Sequence, residues 1–496
     1  APMMERDWQT SLLHTGCFVD SRSRSRKMTC GSGNGGRPLL QIAPMMEVTY
    51  RDFRYFMRLL TSRAQLWTEM IVDDTVLHNL EPVKCDRFLG FNPIEHPIVC
   101  QLGGSDPIKL TEAAQVVERY GYDEVNLNVG CPSSRVASKG EFGCSLMKRS
   151  EVVRDTIHAM SRAVQIPVTV KCRLGVDNQD SPEFTREFVR TVAQGGCKHF
   201  VIHARKAWLN GLSPAQNRSV PPLHYPRVLD LCREFPDLNF SLNGGVSDMG
   251  HARALLGFPG DRLAGETEEL TGTAWGWPGS DGAEGLRGPL GSLPSNFSGV
   301  MIGRGAMNTP CMLWDVDHCI YGDAPRAEQM TRRQLLEKYR VYLEEAHPDG
   351  ASAVGPLHMA LKPTLGVMAG LKGNKAFRNT ADSLMRIKET RELGPAHVLE
   401  MAMKAVDEAN PGVLDEPLSR TEAYKPAKDR SSGASDGHVI PKDRPGSSAR
   451  GLKRKGVTGS GGDEVAEAVA ADGLGDAVTL KPVEAEQEGQ VAGGVK

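Results

Sequence analysis

The chain has 496 residues, enough for two or three domains. Lys and Arg number 59 against 61 Asp and Glu, so whole-chain charge gives no sign of a nucleic-acid partner and any basic surface must be local. No apolar run reaches the ~18 residues of a membrane span, and the 11 Cys form no C-x-x-C pair, which argues for reduced thiols and against a bound metal.

Residues 1–37 read as a disordered basic leader or the end of an organelle transit peptide, because Ser and Arg alternate from Ser21 to Lys27. The chain starts at Ala1, as a truncated or processed chain would. Its first five residues recur as Ala43-Pro44-Met45-Met46-Glu47. From Leu39 to about Met307 one unit repeats. Eight β-rich runs, at 39–43, 65–68, 98–102, 124–128, 168–171, 199–203, 239–243 and 299–303, end in polar or Gly residues. Helical patterns fall between them at 52–62, 110–120, 151–163, 182–194 and 247–256. This alternation predicts parallel βα units, and eight units predict an α/β fold, a TIM-type (β/α)8 barrel over 38–322. The alternative, an open doubly wound sheet, lacks its Gly-rich fingerprint after the first strand.

Residues 259–298 are Gly-rich without a clear period and read as an irregular insertion before the eighth strand. Helical patterns at 332–346, 353–368, 375–386 and 395–408 predict a small all-helical domain over 325–408. Residues 409–496 hold one aromatic residue, Tyr424, and too little apolar surface to offset ordering entropy, so a disordered tail is expected.

A barrel of this kind carries its active site at the C-terminal ends of the strands. The residues there are Ala43 to Met46, Gln101, Asn128 to Cys131, Lys171 and Arg173, His203 to Lys206, Asn243 to Gly245, and Gly303 with Arg304. Glycines after strands 7 and 8, with the Arg304 guanidinium, suit the phosphate of a cofactor. Lys171 can stabilise negative charge or be an ion-paired structural lysine. Gln101 offers an amide donor and acceptor, or is a satisfied core amide. His203 reads equally well as a structural histidine. Cys131, between Gly130 and Pro132, is aimed at the mouth and can act as an acid, as a nucleophile or as an inert buried thiol.

Three strings are highly specific: Gln101-Leu102-Gly103-Gly104-Ser105-Asp106-Pro107, Asn126-Leu127-Asn128-Val129-Gly130-Cys131-Pro132-Ser133 and His203-Ala204-Arg205-Lys206-Ala207-Trp208-Leu209. With them, the region from about Pro38 to Val406 resembles the tRNA-dihydrouridine synthases, nearest the bacterial A-type, tRNA-dihydrouridine(20/20a) synthase, and its plant and algal relatives. The resemblance implies an FMN barrel followed by a helical tRNA-binding domain. It implies that Pro44, Met45 and Met46 line the flavin, that Gln101, Lys171 and His203 contact it, and that Asn243, Gly244, Gly245, Gly303 and Arg304 hold its phosphate. Asn128, Arg173, Arg205, Lys206, Gln216, Asn217, Arg218 and Ser219 would meet tRNA. NADPH or NADH would be the reductant, hydride would reach C6 of a D-loop uridine extruded into the mouth, and Cys131 would protonate C5.

The basic stretches 196–228 and 359–381 contain no acidic residue and suit RNA phosphates. A monomer is expected, in the cytoplasm, or in a plastid or mitochondrion if the leader is a transit peptide. Two other readings are a dihydroorotate-dehydrogenase-type FMN barrel and a non-catalytic tRNA-binding pseudoenzyme.

Overall fold

A computed structural model describes residues 39–133, 142–258, 293–326, 329–347, 357–387, 389 and 392–418. The leader, the short repeat's first copy, residues 259–292 and the tail beyond 418 lie outside them.

Eight strands alternate with helices in chain order: β1 (Leu40–Ile42), α1 (Arg51–Leu60), β2 (Leu66–Val72), α2 (Asp73–Leu77), α3 (Pro82–Leu89), β3 (Ile98–Gly103), α4 (Pro107–Tyr120), β4 (Glu124–Val129), α5 (Ser150–Ala163), β5 (Val168–Arg173), α6 (Pro182–Gln194), β6 (His199–His203), α7 (Tyr225–Glu234), β7 (Asn239–Asn243), α8 (Met249–Leu255) and β8 (Phe297–Ile302). All strands pair in parallel, in the order β1-β8-β7-β6-β5-β4-β3-β2. The ends meet where Gln41 bridges Gln65, with Ile42 N–H donating to Gln65 O at 2.9 Å. That contact closes the TIM-type barrel read from the sequence.

Side-chain caps mark four of the helix starts, those of α4, α6, α8 and the later helix at Arg332–Ala346. Asp106 accepts from the Ile108 and Lys109 N–H groups, and Pro107 fills the first helical position of α4. Ser181 accepts from Phe184 N–H in front of Pro182 and starts α6 in the same way. Helix-facing strand residues such as Val125, Leu127, Val170, Cys172 and Ile202 are buried in one continuous core. Trp67, Val99, Val201 and Met301 form a second, smaller cluster with Ala43.

Of the irregular segment only residues 293–298 lie among the described residues. Its last residues are Asn296, Phe297 and Ser298, and the last two belong to β8. Asn296 Nδ2 reaches the carbonyls of Cys232, Phe235 and Leu238. These contacts lock the start of β8 against the end of α7, and β8 pairs in parallel with β1 and, across a register shift between Phe240 and Ser241, with β7.

After β8 come the short helices α9 (Arg304–Asn308) and α10 (Val316–Cys319). The helical region follows as α11 (Arg332–Ala346), α12 (Leu357–Leu361), α13 (Asn374–Arg386) and α14 (Gly394–Ala409). Within the described residues the expected helix at 353–368 ends early: α12 gives way to a 3-10 turn at Lys362–Gly366, because Pro363 has no amide hydrogen for the ladder. α11 docks on α1. Tyr342 donates to buried Asp52 at 2.7 Å and stacks on Tyr55, while Phe56 meets the edge of Tyr339. Packed chain continues past the expected boundary at 409. Leu414 and Leu418 are buried, Leu418 N–H donates to Met330 O, and Arg333 grips Asp407 and Asp415.

Candidate active site

The strand ends bring most of the expected residues to one rim. Lys171 Nζ donates to Asn243 Oδ1 at 3.0 Å, and Asn243 Nδ2 donates to Met301 O at 2.9 Å. Asn243 is therefore a bridge from β5 through β7 to β8, and its side chain holds the lysine rather than facing an anion. Burial, then the nearby Arg173, lowers the Lys171 pKa to about 8. Burial, reinforced by Arg173 and Lys171, holds the His203 imidazole well below its usual value, so the ring is neutral at pH 7.

Gly244 and Gly245 form the turn after β7 at φ +107° and +73°, a region that disfavours side chains. A Cβ on Gly244 would lie 2.6 Å from the His203 ring, and one on Gly245 would lie 2.8 Å from the Tyr225 hydroxyl. Tyr225, which sequence reasoning missed, donates to Gly244 O at 2.5 Å and shapes this turn. No local sequence signal marks it. A Cβ on Gly303 would lie 3.6 Å from Ala43 Cβ and from the Met45 sulfur, so the β1 and β8 ends stand side by side. Pro44 and Met45 are partly buried there, whereas Met46 is 58% exposed and faces solvent.

A cation cluster surrounds this turn. Arg304 and Arg218 are exposed, Arg304 donates to Arg218 O, and their proximity helps burial lower the Arg218 pKa. Arg205 is held by the carbonyls of Ser219 and Pro221 and is also depressed by burial and Arg304. Among the described residues no carboxylate pairs with Lys171, Arg173, Arg205, Arg218 or Arg304. Like charges held together without a counter-ion fit an anionic ligand.

Cys131 follows β4 and is partly exposed. It is close enough to Lys171, Arg173 and Arg218 to interact electrostatically with each. Asn128 sets its turn: Oδ1 accepts from Gly130 N–H at 3.1 Å and Cys131 N–H at 2.9 Å. Asn128 Nδ2 donates to Gln101 Oε1 at 2.7 Å, and Gln101 Nε2 donates to Asn126 Oδ1. Most of both amides' capacity is thus spent within the protein.

The expected RNA-facing residues divide. Gln216, Arg218 and Ser219 are exposed. Asn217 is fully buried, and its side chain takes Trp208 N–H and donates to Trp208 O, folding the loop instead of facing RNA. Arg173 is buried, with its Nε on Gly130 O and its Nη1 on the carbonyls of Lys206 and Asn217, so from the end of β5 it ties the loops after β4 and β6 together. Lys206 is paired with Asp180 at 2.9 Å and lies over the Trp208 ring. Its partner comes from the β5 loop, so counting charge along 196–228 could not reveal it. On α13 and the turn before it, Lys372, Lys375 and Arg378 are exposed.

No group of His, Cys, Asp and Glu among the described residues is arranged to hold a metal ion. No described helix is long and apolar enough to cross a membrane.

Residues 41–260 match the family model described as Dihydrouridine synthase (Dus). The chain is 40% identical over 337 residues to a tRNA-dihydrouridine(20/20a) synthase of Shewanella oneidensis, covering 68% of this chain and 86% of that protein. It is likewise 40% identical over 339 residues to the enzyme of that name from Salmonella typhimurium, covering 68% and 87%. The family match takes in the rim from β1 to the turn after β7, and the chain belongs to the dihydrouridine synthase family.

Proposed function

We propose that this protein reduces the C5–C6 double bond of a uridine in tRNA to 5,6-dihydrouridine, with FMN in the barrel mouth and NADPH or NADH as reductant. The observation that carries this reading is one rim holding a partly exposed thiol, Cys131, and five cations with no described carboxylate partner. FMN fits this rim: the glycine turn at 244–245 has room only for backbone, and Arg304 stands exposed beside it to meet a phosphate. Lys171, with His203 and Gln101 near it, would hold the anionic edge of the ring system. Pro44 and Met45 line the β1 side.

Reduced flavin, when bound there, would supply the hydride for C6 of the uracil. Cys131 then gives its thiol proton to C5, which completes addition of two hydrogens across the double bond, and solvent returns a proton to sulfur. Arg173 holds the rim loops in register around the base. Exposed Gln216, Arg218 and Ser219, with Lys372, Lys375 and Arg378, contact the tRNA backbone. The 20/20a positions named for the relatives are the proposed targets. All nine described cysteines are free, which suits a reducing compartment such as the cytoplasm.

The test is dihydrouridine formed on unmodified tRNA with NADPH or NADH, alongside identification of the flavin released from purified protein. The parent forms dihydrouridine and releases FMN, and Cys131→Ala falls by about 100-fold or more. A Cys131→Ala protein as active as the parent would remove the thiol from the reaction.

A further inference from the structure

At the opposite end of β4 from Cys131, Glu124 lies buried inside the barrel. A single hydrogen-bonded path joins the two. Gly130 and Cys131 N–H groups donate to Asn128 Oδ1, and Asn128 Nδ2 donates to Gln101 Oε1 at 2.7 Å. Gln101 Nε2 donates to Asn126 Oδ1 at 2.9 Å, and Asn126 Nδ2 donates to Thr169 Oγ1 at 2.9 Å. Thr169 Oγ1 donates to Glu124 Oε1 at 2.5 Å. Every side chain on this path is at most 9% exposed.

The direction of the path is forced from its upper end. A backbone N–H can only donate, so Asn128 must turn its oxygen to Cys131 and its nitrogen to Gln101. Each amide then has one allowed orientation, and Thr169, which already accepts, must pass its own hydrogen on. Only an acceptor can stand at the end. Glu124 supplies it, while its other oxygen takes Gln65 Nε2 at 3.2 Å. A chain of bonds pointing one way polarises its members and strengthens each. Without a terminal acceptor, Thr169 could reverse and the amides above it would lose their single arrangement.

We propose that Glu124 is a positioning residue for the reduction: by ending this one-way chain it fixes Asn128, and through Asn128 the turn that presents Cys131. This rests on the reading of Cys131 as proton donor. The Thr169→Val variant breaks the path, since valine neither accepts from Asn126 nor donates to Glu124. Thr169→Ser restores both functions. Glu124→Leu removes the terminal acceptor, whereas Glu124→Gln keeps one for Thr169 and can pair with the Gln65 oxygen, which has no described partner.

The experiment follows the two half-reactions of the full-length flavoprotein separately, together with amide hydrogen exchange in the peptide containing Gly130 and Cys131. Thr169→Val and Glu124→Leu slow flavin oxidation by tRNA by roughly 10- to 100-fold, and leave flavin reduction by NADPH within about twofold. In flavin-free protein they speed exchange at Gly130 and Cys131 by about tenfold. Thr169→Ser and Glu124→Gln stay near the parent in all three. The proposal is overturned if Thr169→Val matches the parent, or if it slows both half-reactions equally. Should Thr169→Val fail to fold, the contrast between Glu124→Leu and Glu124→Gln decides by the same criteria. A fully active Cys131→Ala would instead overturn the proton-donor reading. An inactive Cys131→Ala with an unaffected Thr169→Val would overturn only the role of Glu124.

Discussion

Lys171 on β5 meets Asn243 on β7, Nζ to Oδ1 at 3.0 Å, and among the described residues that neutral amide is the only hydrogen-bond partner of its ammonium. Such a cation is poorly compensated until an anion arrives. Its pKa, lowered to about 8 by burial and then by Arg173, expresses that cost.

The first prediction follows from the sign of this shift. In the unfolded chain the lysine keeps its proton to about pH 10.4. The ligand-free folded protein loses it near 8. Between those values the unfolded state binds more protons, so stability rises with pH. Flavin-free protein should gain on the order of 2 kcal/mol between pH 8 and 10.4 relative to Lys171→Met. With FMN bound the difference should vanish, because an anionic ring edge favours the charged lysine. Denaturant titrations of both proteins at several pH values measure it. Parallel profiles for parent and variant without flavin would count against a strained lysine.

Gly244→Ala should empty the barrel of flavin. The residue sits at φ +107°, and its new Cβ would lie 2.6 Å from the His203 ring. The ring cannot retreat cheaply from a packed rim, and the backbone conformation itself disfavours alanine. Flavin affinity should drop by at least about tenfold, read from the visible absorption of purified protein and from fluorescence titration. Retained flavin at parent level would mean that the β7 turn does not hold the cofactor.

Much of this architecture is legible in the sequence because barrel strands announce themselves by short apolar runs between capped helices. β6, β7, α6 and α11 begin and end where the pattern says. The start of α4 is three residues earlier than its apolar period, although Asp106-Pro107 is a capping signal available in the sequence. β8 starts two residues earlier because Phe297 and Ser298 were masked by the Gly-rich stretch before them. The interior polar chain is another matter. Nothing local in the sequence marks Asn126 and Thr169 as partners, and only barrel closure turns them toward each other. In the same way Asn217, between exposed Gln216 and Arg218, turns inward for a tertiary reason that the string does not encode.

Behind the barrel, Arg54 and Glu95 form an ion pair at 2.7 Å with both side chains buried. Arg54 also donates to the carbonyls of Thr49 and Gly90. Replacing Glu95 by Ala leaves a guanidinium buried without its counter-charge. Such single truncations cost about 3–5 kcal/mol, more than the intact pair contributes relative to an apolar substitute. Glu95→Ala should therefore lower unfolding free energy by about that amount, with unchanged turnover per folded molecule below the transition. A change under about 1 kcal/mol would show that solvent reaches the site.

The last prediction concerns how the helical region is held for RNA. Tyr342 on α11 donates to Asp52 on α1 at 2.7 Å, and His347 lies 3.3 Å from the same oxygen. Tyr342→Phe keeps the ring stacked on Tyr55 but removes the hydroxyl, leaving a buried carboxylate with one donor fewer. A hydrogen bond to a charged group is worth about 1.5–3 kcal/mol, so stability should fall by that order. The contact lies on α1, apart from the strand-end turn proposed to hold flavin, so flavin affinity should not change. The exposed cations Lys372, Lys375 and Arg378 belong to the docked helical region. Loosening it should raise KM for tRNA severalfold and leave kcat nearly intact. Equal loss in KM and kcat would place the defect in the barrel mouth, and the helical region would then have no separate part in holding RNA.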